Sequence, residues 1–301
     1  MASAMVLPAL VLGMSGIAVA KLTVESAATD VAPNQKGSAT AKCPRGSEAV
    51  AGGFASPDFD PLFNGASIIH YDSHRTSDRE WKTLAHNFGQ TSGELDAYAV
   101  CDTHSPGLLI RSKTRTVGPG GTKRADPPGV RTLVAKCPKG SEAVSGGFSS
   151  PDARAAGRKA AYAFTSKRVR KRGWKVRAAN NDFQNQRKIK AYAYCAKHEP
   201  GLDVETKHVT VPPGNKATLD VGCRQGEKPL SGGYASTYAP GADMSPPIAA
   251  FAFTSRPISG DRWRVSAFGE GAPAKVGRSS GSSPKGVLAP AARLTAYAYC
   301  K

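Results

Sequence analysis

"CPRGSEAVAGGF" occupies residues 43–54, and "CPKGSEAVSGGF" repeats it at residues 137–148 with two changes in twelve positions. A looser copy, "CRQGEKPLSGGY", spans 223–234. In all three the first glycine of the pair follows the cysteine by nine residues: Cys43 to Gly52, Cys137 to Gly146, Cys223 to Gly232. Self-similarity at a fixed offset marks a repeated structural unit. Each copy runs on into a strand-like segment, "SIIHYDS" (67–73), "AAYAFTS" (160–166) or "AAFAFTS" (249–255). A tryptophan follows the closing serine by eight residues (Trp81, Trp174, Trp263), and each copy ends on "DAYAVC" (96–101), "KAYAYC" (190–195) or "TAYAYC" (295–300).

The period inside a copy is that of a β-strand. Trp174, Val176 and Ala178 alternate with Lys175 and Arg177, and Trp263, Val265 and Ala267 with Arg264 and Ser266. Such alternation places one set on a core face and the other on a solvent face. The eight-residue interval from serine to tryptophan reads as a hairpin. The fold class expected is all-β: three tandem antiparallel, small sandwich-like modules, with two arrangements open, one pseudo-threefold prism-like body or three separate domains. Residues 21–106, 107–200 and 201–301 form the modules, joined by the short segments "HSPGL" (104–108) and "HEPGL" (198–202). The third carries an insertion at 271–294 whose Gly, Ser, Pro and Lys content reads as a mobile loop.

Six cysteines come as one opener and one closer per module. Repetition selects Cys43–Cys101, Cys137–Cys195 and Cys223–Cys300 from the fifteen pairings six cysteines allow, each a bridge between the first and last strands of a module. Closing a 58-residue loop of this kind contributes roughly 4 kcal/mol on the chain-entropy estimate. Small modules with modest cores need such help.

Disulfides imply an oxidising compartment. Residues 1–20, "MASAMVLPALVLGMSGIAVA", are uncharged and end in a small-x-small pattern, as in a secretory signal peptide cut before Lys21. Pro8, Gly13 and Gly16 disfavour a spanning helix, so a secreted or wall-associated chain is expected. The formal net charge is +18. A surface that basic favours acidic partners: nucleic acid, anionic wall polymer or acidic glycan.

Cys-x2-Gly, then Gly-Gly-Phe/Tyr, a strand tryptophan and a terminal Ala-Tyr-Ala-x-Cys together resemble a module of bacterial secreted and surface proteins that follows collagen-like stalks or phage-tail segments. The resemblance implies a fold, three times over, and no catalytic residues. A looser likeness exists to the threefold β-prism of egg vitelline outer-layer proteins, which also repeat a Cys…Gly-Phe…Cys pattern.

If the repeat is scaffold, function belongs where the copies differ. Between Ala153 and Lys190 there are thirteen Lys or Arg and one acid, Asp182. On a hairpin tip, Arg168, Arg170, Lys171 and Arg172 would project together beside Lys167. Lys175 and Arg177 share the next strand's outer face, and Arg187, Lys188 and Lys190 follow. Phosphate or carboxylate polymers suit such a surface; the plainer alternative is a solvated charge run. No metal is expected, the nearest ligand set being His70, Asp72 and His74 at alternate strand positions, all opposite Ile69 and Tyr71; the alternative is a polar strand face. The tyrosines Tyr98, Tyr192, Tyr194, Tyr297 and Tyr299 recur in register and read as packing groups before sugar platforms. Asp58 and Asp60 read as turn formers.

No hydrolase, P-loop or dinucleotide fingerprint occurs. The expectation is therefore a non-enzyme without cofactor: a secreted protein that binds an anionic polymer through module two. The alternative is a structural coat or appendage component whose modules self-associate, with a secreted hydrolase a distant third.

Overall fold

The computed structural model describes residues 22–104, 107–119, 129–153, 159–197, 201–239, 248–258, 260–270 and 291–301. The signal-peptide reading at 1–20, the joints at Pro106 and Pro200 and most of the insertion at 271–294 lie outside these residues.

Every element among the described residues is a strand. The first repeat supplies β1 (Leu22–Val31), β2 (Lys36–Lys42), β3 (Glu48–Ala55), β4 (Ile68–Ser77), β5 (Glu80–Asn87) and β6 (Gly93–Asp102). The second supplies β7 (Leu109–Val117), β8 (Val130–Lys136), β9 (Ser141–Ser149), β10 (Ala161–Val169), β11 (Gly173–Asn180) and β12 (Arg187–Lys197). The third supplies β13 (Asp203–Val211), β14 (Lys216–Gly222), β15 (Pro229–Ser236), the short β16 (Tyr238–Ala239), β17 (Ile248–Pro257), β18 (Arg262–Glu270) and β19 (Ala292–Cys300).

No sheet belongs to one repeat. The first sheet runs β1-β6-β3-β17-β18-β14, with β16 paired to β17; the second runs β13-β19-β15-β10-β11-β8; the third runs β2-β5-β4-β9-β12-β7. Each repeat thus gives its first, third and last strands to one sheet and its remaining strands to another. The result is a pseudo-threefold, prism-like body in which neighbouring repeats complete each other's sheets.

The expected disulfides are present: Cys43–Cys101, Cys137–Cys195 and Cys223–Cys300. Their placement differs from the expected bridge between first and last strands. Cys43 follows β2 in the third sheet, whereas Cys101 lies on β6 in the first. The other two bridges repeat this, so every pair of sheets is tied once.

The repeats meet at seams of two residue pairs each. Phe54 faces Ser255, Phe148 faces Ser73, and Tyr234 faces Ser166. Here the glycine pair is explained. A Cβ on Gly52, Gly146 or Gly232 would lie 2.2–2.3 Å from the ring of Trp81, Trp174 or Trp263. A Cβ on Gly53, Gly147 or Gly233 would lie 2.1–2.6 Å from the carbonyl oxygen of Ser255, Ser73 or Ser166 in the next repeat. Each of those serines accepts a hydrogen bond from the indole N–H of its own tryptophan, at 2.9–3.1 Å. Phe54 meets Phe148 and Tyr234 edge-on at centroid distances of 6.1 and 6.2 Å, around a central cavity of about 20 Å3. That space admits one water at most. The bulge lies before the glycines, between Ala49 and Ala51, rather than at them.

Two seams carry a further bond. The Tyr194 hydroxyl accepts the Arg75 N–H at 2.7 Å, and the Tyr299 hydroxyl accepts the Arg168 N–H at 2.8 Å. At the third seam the equivalent residues are Val100 and Pro257, one without a hydroxyl and the other without an N–H. Donor and acceptor are lost together, so neither is orphaned in the interior.

Gly147→Ala is expected to lower unfolding free energy by at least ~2 kcal/mol, since the new methyl meets backbone that cannot step aside; denaturant titration measures it, and an unchanged midpoint would remove the seam argument. Tyr194→Phe should cost about 1–3 kcal/mol by orphaning the Arg75 amide, read by the same titration.

Candidate functional site

The ten basic residues marked in the sequence fall on two sheets. Lys167 and Arg168 lie on β10, Arg170 to Arg172 form the tip, and Lys175 and Arg177 lie on β11, all in the second sheet. Arg187, Lys188 and Lys190 lie on β12 in the third.

The tip does not project as one cluster. Arg168 turns inward: its side chain is 6% exposed and its Nη2 lies 2.6 Å from Glu142 Oε2. Arg75 does the same in the first repeat, 2.7 Å from Glu48. In the third repeat the equivalent pair is Pro257 and Lys228, so arginine and glutamate are replaced together. Arg172 folds back to donate to the Cys137 carbonyl at 2.9 Å. Arg187 is ion-paired to the fully buried Asp182 carboxylate. Burial opposes ionisation of Asp182, but hydrogen bonds from Gln184, Asn185 and Arg187 outweigh it and hold the acid well below its usual range. These arginines serve the scaffold.

Others face outward. Arg170 and Lys171 are exposed at the tip, Arg170 with φ of 52°. Lys167 stands directly across from Lys175, and Arg177 is two residues along the same strand face. Burial first, then the charges of Lys167 and Arg177, pull the Lys175 amine below its ordinary value. Lys167 also donates to the Tyr297 hydroxyl at 2.7 Å and sits over that ring. This contact recurs at each seam: Arg256 lies over Tyr98, and His74 stacks on Tyr192 at 4.7 Å. Lys190 lies over Tyr192 from the same strand.

The triplet His70, Asp72, His74 does not share one face, because a bulge between His70 and Asp72 breaks the alternation. The His70 ring is buried, with Nε2 3.0 Å from Ser56 Oγ and 3.2 Å from the Phe253 carbonyl oxygen, and Nδ1 3.2 Å from Thr83 Oγ1. Asp72, itself buried, pairs with His74, whose ring stacks on Tyr192. Among the described residues no group of three or more His, Cys, Asp or Glu is placed to hold a metal ion. Asp60 accepts the N–H groups of Leu62, Asn64 and Gly65 and shapes its loop.

A second basic row was passed over in the sequence. Arg111, Lys113 and Arg115 alternate along β7, where the equivalent residues are Glu25, Ala27 and Thr29 in β1 and Glu205, Lys207 and Val209 in β13. The signal was available as a strand-period run of cations, but it lies outside the dense stretch at 153–190. A cavity of about 570 Å3 opens between β7 and β8, lined by Thr114, Arg115, Thr116, Arg131, Thr132 and Lys188.

Burial lowers the His70 pKa from 6.5 to about 3. The unfolded chain therefore binds a proton that the folded chain excludes between these values. The His70 contribution to stability is complete above pH 6.5 and is lost as pH falls toward 3. His70→Gln should flatten the stability-against-pH curve over that window; an unaltered slope by thermal unfolding would contradict the assignment.

No family model and no curated protein matches this chain. What stands on the structure is an all-β protein of three similar modules, each holding one disulfide and completing its neighbours' sheets.

Proposed function

We propose that this is a secreted, non-catalytic binding protein for an anionic extracellular polymer, engaged through the basic side of its second repeat. The observation that carries this is the facing pair Lys167 and Lys175, with Arg177 beside them on one outer sheet face. Like charges directly opposite on a sheet are destabilising; burial first, and then the charges of Lys167 and Arg177, lower the Lys175 pKa. A bound polyanion offsets the repulsion. The net charge of +18 and three disulfides agree with an extracellular setting and an acidic partner. No helix among the described residues is long and apolar enough to cross a membrane.

A second reading, a coat or appendage component that self-associates, draws on a different observation. Val24, Ile110 and Val204 occupy equivalent places on β1, β7 and β13 and are 49%, 45% and 49% exposed. Each lies on the terminal strand of its sheet, where an apolar edge invites another chain.

Retention on immobilised heparin at low ionic strength is the test. Lys175→Glu with Arg177→Glu is expected to advance elution and to reduce the salt dependence of binding by about two contacts. Retention that ignores both substitutions and salt removes the binding reading. Concentration-dependent assembly without polyanion supports the second.

A further inference from the structure

The geometry points to the corner between β7 and β8 as a seat for a phosphodiester chain without bases, held on the row Arg111, Lys113 and Arg115. This rests on the polyanion reading above and names both the seat and the ligand chemistry.

The row is unusual in where it points. Arg111, Lys113 and Arg115 pair across the ladder with Ala193, Ala191 and Ile189, all buried. Cross-strand partners share a face, so the three cations lie on the core side of the sheet. They remain exposed because β7 is the end strand of its sheet, with no further strand beside it. Arg131 pairs with the buried Ala178 and so lies on the core side of β8, facing the row. Lys188 closes the cavity from β12. Among the described residues Arg111, Lys113, Arg115 and Lys188 have no carboxylate partner. Asp152 accepts the Lys188 backbone N–H at 2.9 Å.

The two equivalent corners show what a merely structural corner looks like. On their core sides β1 carries Ala27 and Thr29 and β2 carries Gly37 and Ala39. The equivalent residues are Lys207 and Val209 on β13 and Ala217 and Leu219 on β14. Those core sides are small or apolar but for Lys207, and one charge suffices to guard an edge strand. Three like charges in a row on β7 exceed what edge protection requires.

The chemistry of the seat follows from its spacing and lining. Alternate residues on a strand recur every ~6.5–7 Å, a step comparable to that between phosphates of an extended phosphodiester chain. Arginine forks and threonine hydroxyls both donate to phosphate oxygens. Proteins that hold single-stranded nucleic acid add aromatic platforms to a basic groove, and among the described residues no aromatic side chain lines this cavity. A polyol phosphate polymer fits; bases have nothing to stack on. The seat borders the outer face described above through Thr132, which lines the cavity and pairs with Arg177.

The test is fluorescence anisotropy with labelled poly(glycerol phosphate), over a range of salt. The full protein is compared with Arg111→Glu/Lys113→Glu/Arg115→Glu and with Lys175→Glu/Arg177→Glu. The β7 variant is expected to bind at least tenfold more weakly, with a salt slope smaller by about two, and the β11 variant to lose less. The neutral variant Arg111→Gln/Lys113→Gln/Arg115→Gln, with melting checked alongside, keeps the test open if charge reversal unfolds the chain; it should lose threefold or more. Wild-type binding by the β7 variants with loss in the β11 variant overturns the seat and leaves the polyanion reading standing. Retention on heparin without binding to poly(glycerol phosphate) overturns the ligand class alone. Binding to neither overturns both. Tighter binding of an oligo(dT) of matched charge overturns the base-free assignment.

Discussion

The body is organised by a glycine beneath an indole. Trp81, Trp174 and Trp263 each lie on the first glycine of their own repeat's pair. The second glycine admits the neighbouring repeat's serine carbonyl, and that serine accepts the neighbour's own indole N–H. One short motif therefore serves the inside of its repeat and the join to the next. Any side chain at either glycine drives atoms into ring or backbone, and dense interiors do not absorb such intrusions. The fold closes because the same contact is made three times around one axis.

Where the repeats differ at the seams, they differ in matched pairs. Tyr194 with the Arg75 amide and Tyr299 with the Arg168 amide give way to Val100 with Pro257. Arg75 with Glu48 and Arg168 with Glu142 give way to Pro257 with Lys228. A buried donor or charge left alone is costly, so losing both partners is the tolerated route. The group over the ring of Tyr98, Tyr192 or Tyr297 varies more freely, as Arg256, His74 or Lys167, because a ring face accepts a cation or another flat ring.

The charge of the second repeat divides accordingly. Arg168, Arg172 and Arg187 are drawn into carboxylate and carbonyl contacts that the first repeat makes in part with its own arginines, Arg75 and Arg79. Lys175 and Arg177 stay on the sheet face, and Arg111, Lys113 and Arg115 line an open corner. A dense run of basic residues in the chain is thus partly scaffold and partly surface, and only partners in space separate the two.

The residues alone determined the repeat, the strand period, the hairpins and the disulfide pairs, because each rests on spacing within one copy. The core placement of the tryptophans was legible for the same reason. Tertiary structure decided the rest. A six-strand repeat with β alternation does not state which strands share a sheet, and here each repeat divides its strands between two. A one-residue bulge turned His70 into the core and away from Asp72 and His74, since strand period places side chains only while the ladder is unbroken. The basic row on β7 faces the core side yet meets solvent, and that depends on β7 ending its sheet. Pairing and edges are relations between distant segments, and no local pattern encodes them.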